Sequence, residues 1–409
     1  MYRPLTVAIL TSGACWSSVA AAAGFIEDGT ARLEARNFYY NGDFREGTGQ
    51  SKREEWAQGF LLNYESGFTQ GTVGLGVDAT AFAGFKLDSS SDRTGSGLLP
   101  QQSSGEAADD YSKGGLTAKV KVSNTTLRYG LALPKVPVLQ FNGSRLFPQT
   151  FWGTQLSSRE IEGLTFNFAQ FDKTVGPDST DRQDIGLAAK AGRYVTTGVG
   201  DRFRYGGVSY QVTPSLTASY YYGDLEDVYS QQYLGLMHIG RVGAGTLTTD
   251  LRAFTGRDIG ASRAGNVDNQ AYAMALGYSL DSGHSVLAAY QVMAGDTGFP
   301  FVNNPYLPNY VQYHDFASAG ERSWQLRYGY DFKHVGIPGL SFFTAYIHGD
   351  GLDKPGTDSE WERDFDVTYA FQERLKGLTV RWRNATYRSS DGRDMTENRL
   401  IASYAFSLF

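Results

Sequence analysis

The sequence predicts an all-β chain folded as a closed, transmembrane antiparallel β-barrel. Three observations carry that reading. The chain stops on an amphipathic strand: in residues 400–409, Leu400, Ala402, Tyr404, Phe406 and Leu408 share one face, while Ser403 and Ser407 lie on the other, which Arg399 leads into. Side chains alternate across a strand, so one face suits lipid and the other water. Such a terminal strand suggests a sheet closing on its own first strand, although a soluble sandwich strand shares the pattern. The second observation is composition. Mean hydropathy is -0.34, and beyond the N-terminal segment no apolar run reaches the ~18 residues a helical span needs. Aromatics are nonetheless 14% of the chain, with 26 Tyr, 25 Phe and 49 Gly among 409 residues. Barrels combine low hydropathy with aromatic girdles because half of each strand faces water. The third observation is the connections, which alternate between tight turns and long polar stretches.

From the N-terminus, residues 1–23 carry Arg3, an apolar stretch from Leu5 and the small-residue tail Ala20-Ala21-Ala22-Ala23. This reads as a secretory signal cleaved near Ala22 or Ala23. The single cysteine, Cys15, lies inside it. A lipoprotein would want leucine where Ser12 stands, so the mature chain is expected to be cysteine-free, a single barrel over residues 24–409. Strand pattern begins by Ala31, leaving no N-terminal plug domain. Ala31, Leu33 and Ala35 share a face, with Arg32, Glu34 and Arg36 opposite.

Alternation recurs in Leu116, Ala118, Val120 and Val122 against Thr117, Lys119 and Lys121. It recurs in Tyr272 to Leu280, in Trp324 to Phe332 and in Phe365 to Phe371. No stretch holds a convincing helical period. Tight turns fall at Thr213-Pro214-Ser215, Asp281-Ser282-Gly283 and Lys376-Gly377; long polar stretches occupy 89–112, 176–184, 257–269, 295–321 and 350–362. Short turns at one end and long loops at the other is the outer-membrane arrangement. At about 21 residues per strand with its share of connections, the mature chain holds roughly 16 to 18 strands, wide enough for a water-filled lumen. Residues 133–160 break the pattern. Pro134, Pro137 and Pro148 exclude a barrel strand, while Phe141, Leu146, Phe147, Phe151 and Trp152 are too apolar for a solvated loop. The segment is expected to fold into the lumen; an outer loop stacking its rings on itself is the alternative.

Several runs resemble a known family. Ser144-Arg145-Leu146-Phe147-Pro148-Gln149-Thr150 is similar to the constriction loop of the carboxylate-selective porins of Gram-negative outer membranes, the OprD/Occ family. Arg36-Asn37-Phe38-Tyr39-Tyr40-Asn41, Trp56-Ala57-Gln58-Gly59-Phe60, the run from Tyr64 to Gly74, and Arg399-Leu400-Ile401 share the resemblance. It covers essentially the whole mature chain. It implies a bacterial outer-membrane location, an 18-stranded barrel with an infolded constriction loop, and a ladder of basic side chains down the lumen. Members are monomers or loose trimers. Outer-membrane lipid and lipopolysaccharide are the implied surroundings.

The ladder is also legible from parity. Leu378, Val380 and Trp382 are apolar on one face, which turns Arg381 and Arg383 toward the other; Arg399 shares the parity of Ser403 and Ser407. Closing the barrel brings these beside Arg36. Pairing with a nearby acid such as Glu34 is the alternative for each. The resemblance adds Ser144 and Arg145 on the constriction loop and Asp315 as an acidic counterpart facing Arg145. Many relatives carry a basic residue where this chain has Gly42, so an upper rung is expected to be missing.

The expected chemistry is binding and passage. Guanidinium groups replace water around a carboxylate, and a row of weak sites lets it step onward. The short stretch between Gly295 and Asp315 carries Phe299, Pro300, Phe301, Pro305, Tyr306, Pro308 and Tyr310 but only Asp296 and Asp315 as acids. That rim suits an anionic head on a cyclic or aromatic body. A porin for basic amino acids or peptides, a non-selective porin and a barrel-embedded hydrolase are the alternatives. Against an enzyme, no G-x-S-x-G elbow occurs, and the five histidines are scattered without metal-ligand spacing. No metal or other cofactor is expected. A net charge of -6 gives nucleic acid no electrostatic footprint.

Overall fold

The computed structural model describes residues 24–409, apart from 47, 189–192, 195–197, 354–355, 357 and 391–392. The expected signal segment 1–23, with Cys15, lies outside the described residues. Among those described, eighteen strands form one antiparallel sheet running from Thr30–Arg45 to Asp394–Ser407. The first and last strands pair with each other, Arg32 opposite Ser407 and Tyr40 opposite Arg399, which closes the barrel. The carbonyl of Ala31 accepts from the Leu408 amide at 2.7 Å, so the pairing runs to the end of the chain. Among the described residues the barrel sheet therefore has no free edge to guard.

Each strand is written by its alternation. In Asp268–Leu280, Tyr272 points outward and is 53% exposed, while Ala271 points inward and is 1% exposed. Met274 and Leu276 follow Tyr272, and Ala273 and Ala275 follow Ala271. Exposed apolar side chains in such a continuous belt are what a lipid-facing wall requires. One expected strand is shorter: Phe332 leaves the wall after Arg322–Asp331 and opens a 3-10 turn, Phe332–Val335.

The connections segregate as the alternation of lengths implies. Residues 123–124, 214–215, 243–244 and 281–283 are tight turns at one end. Gly283 takes φ +91 there and donates to the Leu280 carbonyl, a conformation that glycine adopts without strain. The long connections 89–109, 133–149, 176–202 and 295–321 rise from the other end.

The infolded segment ends earlier than residue 160. Thr150–Ser158 is a wall strand, paired with Thr125–Ala132 on one side and Leu164–Val175 on the other. Its rings are explained by the wall. Phe151 points inward and packs on Phe171 at 5.5 Å, and Trp152 meets Tyr129 edge-on at 6.1 Å. Only residues 133–149 leave the wall, and they are not alone in doing so. Leu98 and Leu99 from 89–109 join Leu146, Phe147, Phe38 and Phe82 in one buried apolar cluster. Phe299, Phe301 and Leu307 from 295–321 join Val138, Leu139, Phe171 and Phe254 in a second. Burying these side chains against inward-facing rings supplies the apolar contact that holds loops inside a wet lumen.

Candidate functional site

The site is built on the seam where the chain closes. On Asp394–Ser407, inward parity gives Met395, Glu397, Arg399 and Ser403; on Leu378–Ser389 it gives Arg381 and Arg383. Arg383 lies directly opposite Arg399 in the register, and Arg399 opposite Tyr40. Arg36, from the same first strand as Tyr40, lies opposite Ser403. Closure therefore gathers residues some 360 positions apart in sequence.

Arg399 is 2% exposed. Its Nε donates to Glu397 Oε1 at 2.5 Å, its Nη2 to the Gln312 carbonyl at 3.1 Å and its Nη1 to the Ser144 carbonyl at 3.4 Å. Arg145, on the infolded loop, and Arg399 lie over the same Tyr40 ring, at 5.8 and 5.9 Å from its centroid. The Tyr40 hydroxyl donates to Glu397 Oε2 at 2.8 Å. Glu397 thus pairs directly with Arg399, and Arg145 stands beside that pair across the Tyr40 ring. Burial presses the Arg145 pKa below its ordinary value, the neighbouring Arg399 adds to this, and Glu397 opposes it. An arginine keeps its charge regardless.

The loop that delivers Arg145 is locally set. Asn142 Oδ1 accepts from the Ser144 amide at 2.8 Å and from its hydroxyl at 2.7 Å, the turn-forming habit of asparagine. The Ser144 hydroxyl in turn accepts from Arg145 Nη1 at 3.0 Å. From the wall, Arg36 Nη1 donates to the Arg145 and Leu146 carbonyls at 3.2 and 2.9 Å, while its Nε meets Glu34 Oε1 at 2.9 Å. Arg36 therefore anchors the loop, and Glu34 does pair with it. Arg381 and Arg383 share Asp366, at 2.5 and 3.1 Å, and Arg381 is the most open of the set, with 40% of its side chain exposed.

Asp315 departs from expectation. It does not face Arg145 across a gap. It is fully buried, and its two oxygens accept from Arg193 Nη1 and Nη2, both at 2.9 Å. The carboxylate near Arg145 is Glu397 instead. The physical reason is geometric. A planar guanidinium engages both carboxylate oxygens at once, and Arg193, from 176–202, already does so.

Parity also held signals that went unused. Phe365 and Val367 face outward, so Glu360, Glu362, Asp364 and Asp366 form an inward acidic row on Ser359–Ala370. The row holds loop 295–321 inside. Glu362 accepts from the Tyr313 and His314 amides, both at 2.8 Å, and Asp364 from the Gln312 amide at 3.2 Å. Glu55 does the same for 89–109 by accepting from the Ser96 amide at 2.9 Å. His314 Nε2 lies 2.8 Å from Glu360 Oε1, and its ring stacks on Tyr387 at 4.7 Å. Trp56, Phe60 and Leu62 face outward, which turns Arg53 inward beside Phe44, 5.1 Å from its ring. Arg53 lies directly opposite Gly42, so a guanidinium stands one strand over from the missing rung. A Cβ at residue 42 would lie 2.7 Å from Met395 Cε.

These groups enclose a polar cavity of about 310 Å3, lined in part by Tyr40, Arg53, Asn142, Arg145, Tyr313 and Arg399. The predicted aromatic rim is narrower than the sequence implied. Phe299, Phe301 and Pro305 are buried in packing, and Tyr306 and Tyr310 remain half-exposed.

Comparison with known proteins agrees with this architecture. Residues 23–408 match the family described as outer membrane porin, OprD family. Porin D of Pseudomonas aeruginosa is 38% identical over 425 residues, covering 96% of this chain and 94% of that protein. The crystal structure of Pseudomonas aeruginosa OccK9 (OpdG) superposes with a TM-score of 0.90 at 45% identity, covering 94% of this chain and all of that one (100%). Pseudomonas aeruginosa OpdK, solved with vanillate, gives 0.88 at 37% identity, with 94% and 100% covered. The chain belongs to the OprD family of outer-membrane porins. It is a substrate-specific channel of the bacterial outer membrane, not an enzyme.

Proposed function

We propose that this OprD-family porin passes small monocarboxylates with a flat or cyclic body, such as benzoate or a pyrrolidone carboxylate. Arg53, Arg145, Arg383 and Arg399 form the upper path, with Arg381 below them and Arg36 and Ser144 fixing the loop. The observation that carries this reading is the surplus of guanidinium groups over carboxylates in direct contact with them. Arg381 and Arg383 share Asp366, and Arg145 stands beside the Arg399–Glu397 pair without an ion contact of its own among the described residues. Each station is left with an excess of one positive charge.

That excess suits transport. A monoanion entering the lumen sheds water and regains charge-assisted hydrogen bonds from a guanidinium. It competes there with a resident carboxylate, so the gain stays small and the solute leaves as readily as it arrives. The Tyr313 ring, on the wall of the polar cavity, offers flat surface beside the cations. OpdK, the relative solved with vanillate, was seen with an aromatic acid, which favours the same class here. The test is competitive uptake in proteoliposomes carrying the purified porin. Benzoate is expected to enter faster than arginine and to be slowed by excess pyrrolidone carboxylate. Faster uptake of arginine would overturn the solute class.

A further inference from the structure

We propose that Arg193 is a specificity-determining residue: by capping Asp315 it withdraws a loop carboxylate that would otherwise hold a cationic solute beside the constriction. The inference deepens the monocarboxylate reading and rests on it for the identity of the favoured solute. It stands on its own geometry for the exclusion of cations.

The cap is complete. Asp315 is 0% exposed and the Arg193 side chain 4%, with both carboxylate oxygens engaged by the two ends of one guanidinium. The approach is prepared by independent contacts between the two connections. A Cβ at Gly298 would lie 2.5 Å from Arg193 Cδ and 2.7 Å from the Ala317 carbonyl oxygen, so glycine leaves the passage through which the side chain runs. The Tyr194 hydroxyl donates to the Gly298 carbonyl at 2.5 Å, and the Ala188 amide donates to the Phe301 carbonyl at 2.8 Å. These contacts seat Ala188, Arg193 and Tyr194 on 295–321 beside the acid.

The capped acid belongs to the same electrostatic space as the ladder. The Tyr310 hydroxyl lies within electrostatic reach of Arg145, Arg399, Asp315 and Arg383 together. An uncapped carboxylate there would draw ammonium and guanidinium groups and offset the pull of the arginines on anions. Capped, its charge is met by a guanidinium, and its pull on cations is offset. A solute with a cationic end then has one carboxylate fewer to bind, Asp178 on the cavity wall being a loop acid that remains open to it. The acidic row on Ser359–Ala370 does not replace Asp315. Glu362 and Asp364 accept loop amides, Asp366 is held by Arg381 and Arg383, and Glu360 accepts from Tyr387 and meets His314.

The test uses the full porin in planar bilayers, with reversal potentials across a KCl gradient and then with arginine hydrochloride and sodium benzoate. Arg193→Gln, Asp315→Asn and the double variant are compared with the parent chain. Arg193→Gln is expected to lower the anion-to-cation permeability ratio by roughly tenfold, the scale of one unit charge at about 8 Å under partial screening, and to admit arginine. Asp315→Asn is expected to raise the ratio. The double variant, with a neutral amide pair, is expected to return to within about twofold of the parent. An unchanged ratio in Arg193→Gln overturns the inference. So does a double variant that stays with Arg193→Gln, since the shift would then come from lost positive charge and not from an exposed Asp315. If Arg193→Gln does not assemble, Asp315→Asn decides: an unchanged or lower ratio overturns the inference. The KCl readings involve no organic solute, so a parent porin that fails to take up benzoate would refute the solute class and leave Arg193 to be judged on ion selectivity.

Discussion

The closing seam and the wall facing it both carry inward arginines, and the two differ in how those charges are met. On the facing wall, Arg252 meets its own carboxylate, Asp250, through Nε at 3.1 Å and Nη2 at 2.5 Å. Its Nη1 donates to the Tyr306 carbonyl at 3.0 Å, and the Tyr306 ring covers it at 3.9 Å. That guanidinium is saturated, one acid to one base, and it pins loop 295–321. On the seam, Asp366 serves both Arg381 and Arg383, and Arg145 stands beside the Arg399–Glu397 pair without an ion contact of its own among the described residues. The same residue type is a structural tie where charges balance and a transport station where they do not. Ratio, more than position along the wall, decides which.

The largest expected effect separates the two directly. Arg399→Ala reduces the Glu397 station from an excess of one positive charge to none, and benzoate flux into proteoliposomes is expected to fall by roughly tenfold. Arg252→Ala is expected to change flux by less than about twofold while lowering the heat resistance of the barrel on gels, because it leaves buried Asp250 without its partner. Equal flux losses would erase the distinction. Next in size is Arg145→Ala. It removes a long side chain from the polar cavity, so single-channel conductance is expected to rise by about twofold and selectivity to blunt, as one charge is lost from the narrowest part. Unchanged conductance would count against a loop that narrows the lumen.

Parity along the seam is open to chemical mapping, since the only cysteine lies in the N-terminal segment. Cysteines at 381 and 383 should react with a negatively charged thiol reagent and lose current, whereas a cysteine at Trp382, which faces lipid, should stay inert. Reaction at 382 without reaction at 383 would invert the assigned faces.

The smallest effect concerns the root of loop 295–321. Burial and the neighbouring Glu360 hold the Glu321 carboxyl well above the usual carboxylate range. A carboxyl raised in the folded state binds its proton more readily there than in the unfolded chain. Its contribution is therefore fully present below the ordinary carboxylate pKa and is lost as pH rises through the elevated folded value. Glu321→Gln should remove that loss. Heat resistance of the variant should match the parent in acid and exceed it at alkaline pH. A gain confined to acid would reverse the sign and refute the assignment.

Much of the wall was legible because a barrel strand is a local object. The faces of residues 31–36, 116–122, 378–383 and 399–408 follow from a period of two, and so does the inward aim of Arg36, Arg381, Arg383 and Arg399. The acidic row from Glu360 to Asp366 and the inward aim of Arg53 were written in the same alternation. The rings of 150–158 misled because a wall strand lining a packed lumen looks as apolar as a buried loop: Phe151 meets Phe171 and not solvent.

By itself, then, the sequence determined which side chains face lipid, which face the lumen, and that the two ends of the chain must meet. Those properties depend only on strand alternation and on the cost of leaving an edge unpaired in a membrane. The partner of each charge was decided by the tertiary structure. That Arg145 comes to stand over Tyr40 beside the Arg399–Glu397 pair, and that Arg193 takes both oxygens of Asp315 from a loop 122 positions away, depends on where three loops come to rest inside the barrel. Their resting places are set by ring packing and by inward carboxylates accepting loop amides. These long-range contacts carry no period in the sequence, because each joins segments that the barrel alone brings together.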